Sequence, residues 1–458
     1  MSHSRGTEGN SRGRSGLRLR LPGLVALAAL AALTALPGVV VPAAAAPLNT
    51  TFINATSGLP APLTTSQCRA TFGINCYTPI QYHTAYDLNP LYGSGITGAG
   101  RTIVIVDSFG SPTIANDLHN FDAQFGLPDP PSLTIDQFGT IPPFDPGNPV
   151  MVGWAIETSL DVEYAHAIAP GAKIVLAETP VAETEGVDGF PQMMAAEKTL
   201  IDAGVPDVIS QSFGATENTF PGFSQGNFSS LLSLRYAFED AAAHNVTVLG
   251  SSGDVGPTGY ELNGATLYPF RVNSWPSSDP LVTSLGGSQL SLDQNGTRLA
   301  PDTVWNDGFG ASGGGLSAVF SRPGFQDGVQ GVVGDSRGTP DISMSAAVNG
   351  GAWVYWGFRG AGDPGWNIVG GTSEASPIFA GIIALADQLA GHRLGDINPE
   401  LYSLGALAEP AATGLVDITT GNNSFHDVTG FNAAPGYDLA SGWGTINANV
   451  FVRALASH

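Results

Sequence analysis

Thr102-Ile103-Val104-Ile105-Val106 places five β-branched residues in succession. A strand with one wet face alternates apolar with polar residues, whereas an unbroken run belongs to a strand covered on both faces. Three further runs read the same way: Lys173-Ile174-Val175-Leu176, Asp207-Val208-Ile209-Ser210 and Val246-Thr247-Val248-Leu249. Helical periodicity lies near 153–167, 190–203 and 230–244. Strand and helix in alternation predict an α/β fold, a mostly parallel central sheet with helices on both faces. The turn-rich segments 259–280 and 296–345 read as long ordered loops and short strands.

In such sheets ligands gather at the carboxyl ends of the strands, where Asp107, Ser212 and Asp254 fall. Asp254 sits in Gly250-Ser251-Ser252-Gly253-Asp254-Val255-Gly256, whose glycines let the backbone approach a ligand. A carboxylic acid kept protonated there can donate a hydrogen bond to an oxyanion; a turn aspartate capping its own loop is the alternative. On the helix of 153–167, Glu157 and Asp161 are four residues apart and share a face. If buried, the two carboxyls lower their repulsion by sharing a proton, which makes one a base able to work in acid; if exposed, they are a solvated acidic face. His166 stands nine residues beyond Glu157, about half a turn round the helix, and cannot readily join them. Gly370-Gly371-Thr372-Ser373-Glu374-Ala375-Ser376-Pro377 precedes the apolar run Ile378 to Leu385. It predicts a helix N-terminus at Ser373, with Pro377 in the first turn, where the dipole and unpaired amides favour an oxyanion. By itself the motif favours a helix cap, because Gly-Thr-Ser before a helix is common, and the rest of the chain has to supply the acid and base.

Composition sets the limits on partners. With 458 residues, 60 Gly, 33 Pro and 12% charged residues, the chain is globular and rich in turns. Asp and Glu outnumber Lys and Arg by 39 to 17, a net charge of -22, which argues against nucleic acid or an anionic membrane as partner. Residues 1–46 have the pattern of an export signal: Arg5, Arg12, Arg14, Arg18 and Arg20, then apolar Leu21 to Val41, then Ala43 to Ala46. That segment carries +4, so its removal would leave -26. A secreted, extracellular chain follows, and in an exported protein Cys68 and Cys76 are expected to form one structural disulfide. Residues 47–85 form a short N-terminal segment, and 86–458 the main domain.

The ordered set Glu157-x-x-x-Asp161, Ser252-Gly253-Asp254 and Gly371-Thr372-Ser373-x-x-x-Pro377 resembles the sedolisins, serine-carboxyl peptidases that share the subtilisin fold but replace its histidine with glutamate. Ala169-Pro170-Gly171-Ala172, Ser212-Phe213-Gly214 with Glu217, Pro276 to Gly287, Ser312-Gly313-Gly314-Gly315 and Pro340-Asp341-Ile342 look like the same family, from about residue 85 to 450. The resemblance implies Ser373 as nucleophile, Glu157 as general base, Asp161 as its proton-coupled partner and Asp254 as the acid of the oxyanion hole. It implies that Ser212-Phe213-Gly214 offers its backbone to an extended peptide. It also implies a C-terminal calcium loop in Asp417-Ile418 and Pro435-Gly436-Tyr437-Asp438, with side-chain oxygens of Asp417 and Asp438 and carbonyls of Ile418, Ala434 and Gly436 holding Ca²⁺. Ala434 stands where the family usually has glycine, a mild departure since a carbonyl is the ligand.

The family usually carries a long propeptide, whereas here only 47–85 separate the signal from the first matched motif. The expected activity is acid endopeptidase action by a monomer on protein or peptide substrates, with no membrane partner in the mature form. Two alternatives stay open: a subtilisin-type protease using Asp107, His166 and Ser373, and a non-catalytic, calcium-stabilised extracellular module of the same fold.

Overall fold

The computed structural model describes residues 51–53, 59–407 and 409–457. Residues 1–46, expected from the sequence to be an export signal, lie outside them. The central sheet contains β1 (Thr102–Ser108), β2 (Leu133–Gln137), β3 (Lys173–Thr179), β4 (Val208–Gln211), β5 (Thr247–Ser251), β6 (Thr283–Gln289), β7 (Thr303–Val304) and β8 (Ile342–Ser345). Its order is β7-β6-β5-β4-β1-β3-β2, with β8 also paired to β6. Every pairing is parallel except β6 with β7.

Side-chain parity divides the core in two. Ile103, Ile105, Ile174, Leu176, Val208 and Leu249 face one cluster, whereas Val104, Val106, Val175, Ala177, Ile209 and Val248 face the other. Against the first face pack α2 (Pro149–Ile168) and α5 (Thr372–Ala390), with α1 (Ile114–Phe125) beside α2. Against the second pack α3 (Phe190–Asp202) and α4 (Tyr236–Ala243). The periodicity over 230–244 predicts one helix, but the structure has two, Ser229–Leu232 and α4. At the break Arg235 turns its guanidinium onto the buried Asp279, with both nitrogens bonded at 2.6 and 3.0 Å. A bidentate charged pair of that kind outweighs the few tenths of a kcal/mol that one exposed turn of helix adds.

The N-terminal segment is part of this core. Cys68 and Cys76 form a disulfide, strand Thr51–Ile53 pairs antiparallel with 368–370, and Cys76-Tyr77 pairs with Gly351-Ala352. Helix Pro79–Ala85 is opened by a Thr78/Gln81 capping box, and its Tyr82 hydroxyl donates to Glu374 Oε1 at 2.7 Å. Among the described residues no helix is long and apolar enough to cross a membrane.

Candidate active site

Asn148 opens α2 by accepting the amides of Val150 and Met151, and from Met151 to Ile168 every residue of the helix is buried. A helix enclosed on all sides cannot let its carboxylates reach water, so Glu157 and Asp161 are not a solvated face. Asp107 continues the parity of Ile103 and Ile105 and therefore points at α2. It is wholly buried. Burial, and then the nearby Glu157 charge, raises its carboxyl well above the usual carboxylate range. Asp161 is raised by burial first and by Asp107 and Glu157 next, against a hydrogen bond from Ser212. Asp107 and Asp161 thus share one dry pocket with Glu157, and the two hold protons that isolated carboxylates would lose.

Ser212, one residue beyond β4, joins this cluster to the helix opposite. Its Oγ lies 2.8 Å from Asp161 Oδ1 and 3.3 Å from the carbonyl oxygen of Ser373. Ser373 is the second residue of α5, fully buried, and its Oγ makes no hydrogen bond among the described residues. The carbonyl is available to Ser212 because of Pro377. The sequence suggests Pro377 in the first turn; in the structure α5 begins at Thr372, and Pro377 lies in the second. Without an N–H it cannot bond the carbonyl four residues back, that of Ser373.

Asp254 reaches the same helix from the loop after β5. Its Oδ1 accepts the Thr372 amide at 2.7 Å and the Thr372 hydroxyl at 2.8 Å. The hydroxyl in turn accepts Gly253 N–H at 3.0 Å, so the carboxyl is latched one residue before Ser373. Gly371 makes room for it: φ is 140°, and a Cβ there would lie 2.7 Å from Asp254 Oδ2. Burial raises Asp254 from its ordinary 3.8 to about 7, against the two bonds from Thr372. Its Oδ2 makes no hydrogen bond among the described residues.

The structure therefore brings Glu157, Asp161, Asp254 and Ser373 to one junction of α2, the β4 and β5 ends and α5. It leaves His166 out, because His166 Nε2 sits 2.8 Å from Pro128 O and 3.3 Å from Asp122 Oδ1 in a buried pair. An Asp107, His166, Ser373 triad is thereby excluded. Other motif residues hold the frame. Glu217 accepts from Ser278 Oγ, Ser317 Oγ and Ala318 N at 2.7, 2.5 and 2.8 Å. Asp341 takes both terminal nitrogens of Arg337 and the amide of Ser284. The sequence reading assigned Asp107 only to the sheet end and the excluded triad; a charged residue closing an apolar run, on the parity of the α2 face, was the signal for its place in the cluster.

In the C-terminal loop, Asp438 Oδ2 accepts Ala434 N–H and Asp417 Oδ2 accepts Gly436 N–H, each at 2.8 Å. The two carboxylates thus close one turn from either side, and neither is paired with Lys or Arg among the described residues. Burial raises Asp438 above its ordinary value, against hydrogen bonds from Ala434, Ala440 and Ser441. The oxygen-only donor set suits a hard ion such as Ca²⁺. Among the described residues no cluster of three or more His, Cys, Asp or Glu could hold a metal, so backbone carbonyls would have to complete any shell.

No family model matches the chain. It is 32% identical over 381 residues to kumamolisin of Bacillus sp. (strain MN-32), which covers 81% of this chain and 62% of that protein. It is 30% identical over 384 residues to sedolisin of Pseudomonas sp. (strain 101), covering 81% and 60%. Tripeptidyl-peptidase 1 of Canis lupus familiaris is 29% identical over 320 residues, 66% of this chain and 52% of that one. The chain thus spans 62% or less of the length of these relatives. The solved structure of Pseudomonas sedolisin, a serine-carboxyl proteinase complexed with two molecules of pseudo-iodotyrostatin, superposes with a TM-score of 0.67 at 29% identity, covering 84% of this chain and 99% of that one. Through these relatives and this shared subtilisin-like architecture, the chain belongs to the sedolisin family.

Proposed function

We propose that the protein is a secreted, acid-acting serine-carboxyl endopeptidase, monomeric and acting on protein or peptide substrates. The observation that carries the reading is Ser212 Oγ bridging Asp161 and the carbonyl of Ser373 while Asp254 is latched to Thr372, which sets a carboxyl pair on one side of a buried serine and an acid on the other. Glu157 takes the proton of Ser373 Oγ as the hydroxyl attacks the substrate carbonyl, and Asp161 and Asp107 let the cluster hold that proton without adding a buried charge. Protonated Asp254 donates to the oxyanion of the tetrahedral intermediate. Glu157 then returns the proton to the leaving amine, and the same sequence with water releases the acyl group. Asp417 and Asp438, with the carbonyls of Ile418, Ala434 and Gly436, would hold Ca²⁺, which when bound supplies a fixed positive charge that stabilises the C-terminal loop.

Casein digestion from strongly acidic to mildly alkaline pH tests this directly. Activity confined to acid is expected, with Glu157→Gln lowering it by about 10³-fold or more and His166→Ala leaving most of it. Loss of activity in His166→Ala with survival in Glu157→Gln would overturn the assignment, and an inert wild type would favour the non-catalytic module.

A further inference from the structure

The mechanism leaves Glu178 without a task. On β3 it is the register partner of Asp107 on β1 and of Gln137 on β2, so all three face the same side of the sheet. Gln137 Nε2 donates to Glu178 Oε2 at 2.9 Å, which orients the carboxyl. The other oxygen, Oε1, lies over Gly110, where any Cβ would overlap it; Gly110 has φ 71°, and both demands are met by glycine. Glu178 lines a cavity of about 330 Å³ whose other walls include Phe109, Ile141, Phe144 and Met151, and no basic residue lines it among the described residues. The cavity adjoins the site. Phe109 and Gly110 follow Asp107 by two and three residues in the chain, and Met151 precedes Glu157 on α2 by six residues, roughly 9 Å along the axis.

Apolar walls around one oriented carboxyl suit a side chain with a long methylene stem and a cationic head. We propose that this cavity is a substrate subsite that takes one lysine or arginine side chain of a bound peptide, the stem against Phe109, Ile141, Phe144 and Met151 and the head on Glu178. The assignment rests on the peptidase reading of the neighbouring site. Burial also raises the proton affinity of Glu178, so a cation arriving there takes the place that a proton would otherwise fill.

The test uses hexapeptides carrying a single arginine at each position in turn, with norleucine as its uncharged replacement. Their binding to the Ser373→Ala protein is measured by calorimetry, and their cleavage by the wild type is followed in parallel. Arginine at one position should bind about 10-fold more tightly than norleucine. Glu178→Gln should erase that difference while changing the norleucine affinity by less than about 2-fold. Ile141→Lys, which tethers an ammonium at the rim, should erase it as well and does not depend on how Glu178→Gln folds. Equal affinity at every position, no binding at all, or an arginine advantage that survives both substitutions overturns the subsite. Cleavage without any arginine preference sinks the subsite and spares the peptidase reading; a Glu178-dependent preference in a protein that cleaves nothing does the reverse.

Discussion

Asp254 should set the alkaline edge of activity. Burial lifts it to about 7, and only its protonated form can donate to an oxyanion, so the rate should fall as pH rises through that value. Asp254→Asn keeps the size and a donor but removes the titration. A maximal rate lower by on the order of 10²-fold is expected, with a flatter alkaline limb in a kcat/KM profile. Some pH dependence should survive through Asp107, Glu157 and Asp161. Full activity with an unchanged profile would make Asp254 a turn residue. Why this residue was legible in the sequence, and Asp107's role was not, is a matter of distance along the chain. Asp254 sits in its own glycine-rich loop, and Glu157 with Asp161 share a face by helical arithmetic. Asp107 joins them only once β1 has been laid beneath α2; its parity along β1 marks the face it points to, but which helix covers that face is set by the tertiary fold.

At the level of the element, α5 positions Ser373, the proposed nucleophile, by means of a defect. Pro377 withholds the amide that would cap the Ser373 carbonyl, and Ser212 fills the gap. Pro377→Ala should restore the helical bond, leave the melting temperature unchanged or raise it, and lower kcat/KM by about 3- to 10-fold as Ser212 loses one acceptor. A melting temperature that falls together with activity would mean that the proline serves packing instead. The C-terminal loop makes a separate forecast. If it binds Ca²⁺ in the folded state alone, Asp438→Ala or chelation at mild pH should lower the melting temperature by mass action. Identical melting curves with and without calcium would count against the site. Helix ends in this chain were less legible than strands: Pro377 moved from first turn to second, and 230–244 split at Arg235, because a partner distant in sequence, Asp279 in the second case, decides where a helix stops.

For the molecule as a whole, pH should act on stability as well as on catalysis. Burial raises Asp254 and Glu217 to about 7 and Glu197 and Glu374 to about 8, from ordinary values of 3.8 for Asp and 4.5 for Glu. The folded state therefore binds these protons more tightly than the unfolded chain does. The stability they contribute is complete below about pH 4 and is lost progressively as pH rises towards about 8. A net charge of -22 adds self-repulsion over the same range. Melting temperature measured at constant ionic strength should drop by several degrees across that window; a rise would contradict the account. The parallel sheet was readable from four short runs rich in β-branched residues because burial on both faces leaves its mark residue by residue. The docking of 59–85 was not, because its partners lie hundreds of residues away: Tyr82 and Glu374 are separated by 292 positions. That separation bears on timing during synthesis. The chain leaves the ribosome from its N-terminus, and the residues that Tyr82 and Cys76-Tyr77 must grip, at 351–374, emerge long after them, Glu374 a full 292 residues behind Tyr82. No nascent fragment ending before Ser373 can contain the proposed nucleophile, and none ending before Glu374 can anchor helix Pro79–Ala85 through Tyr82.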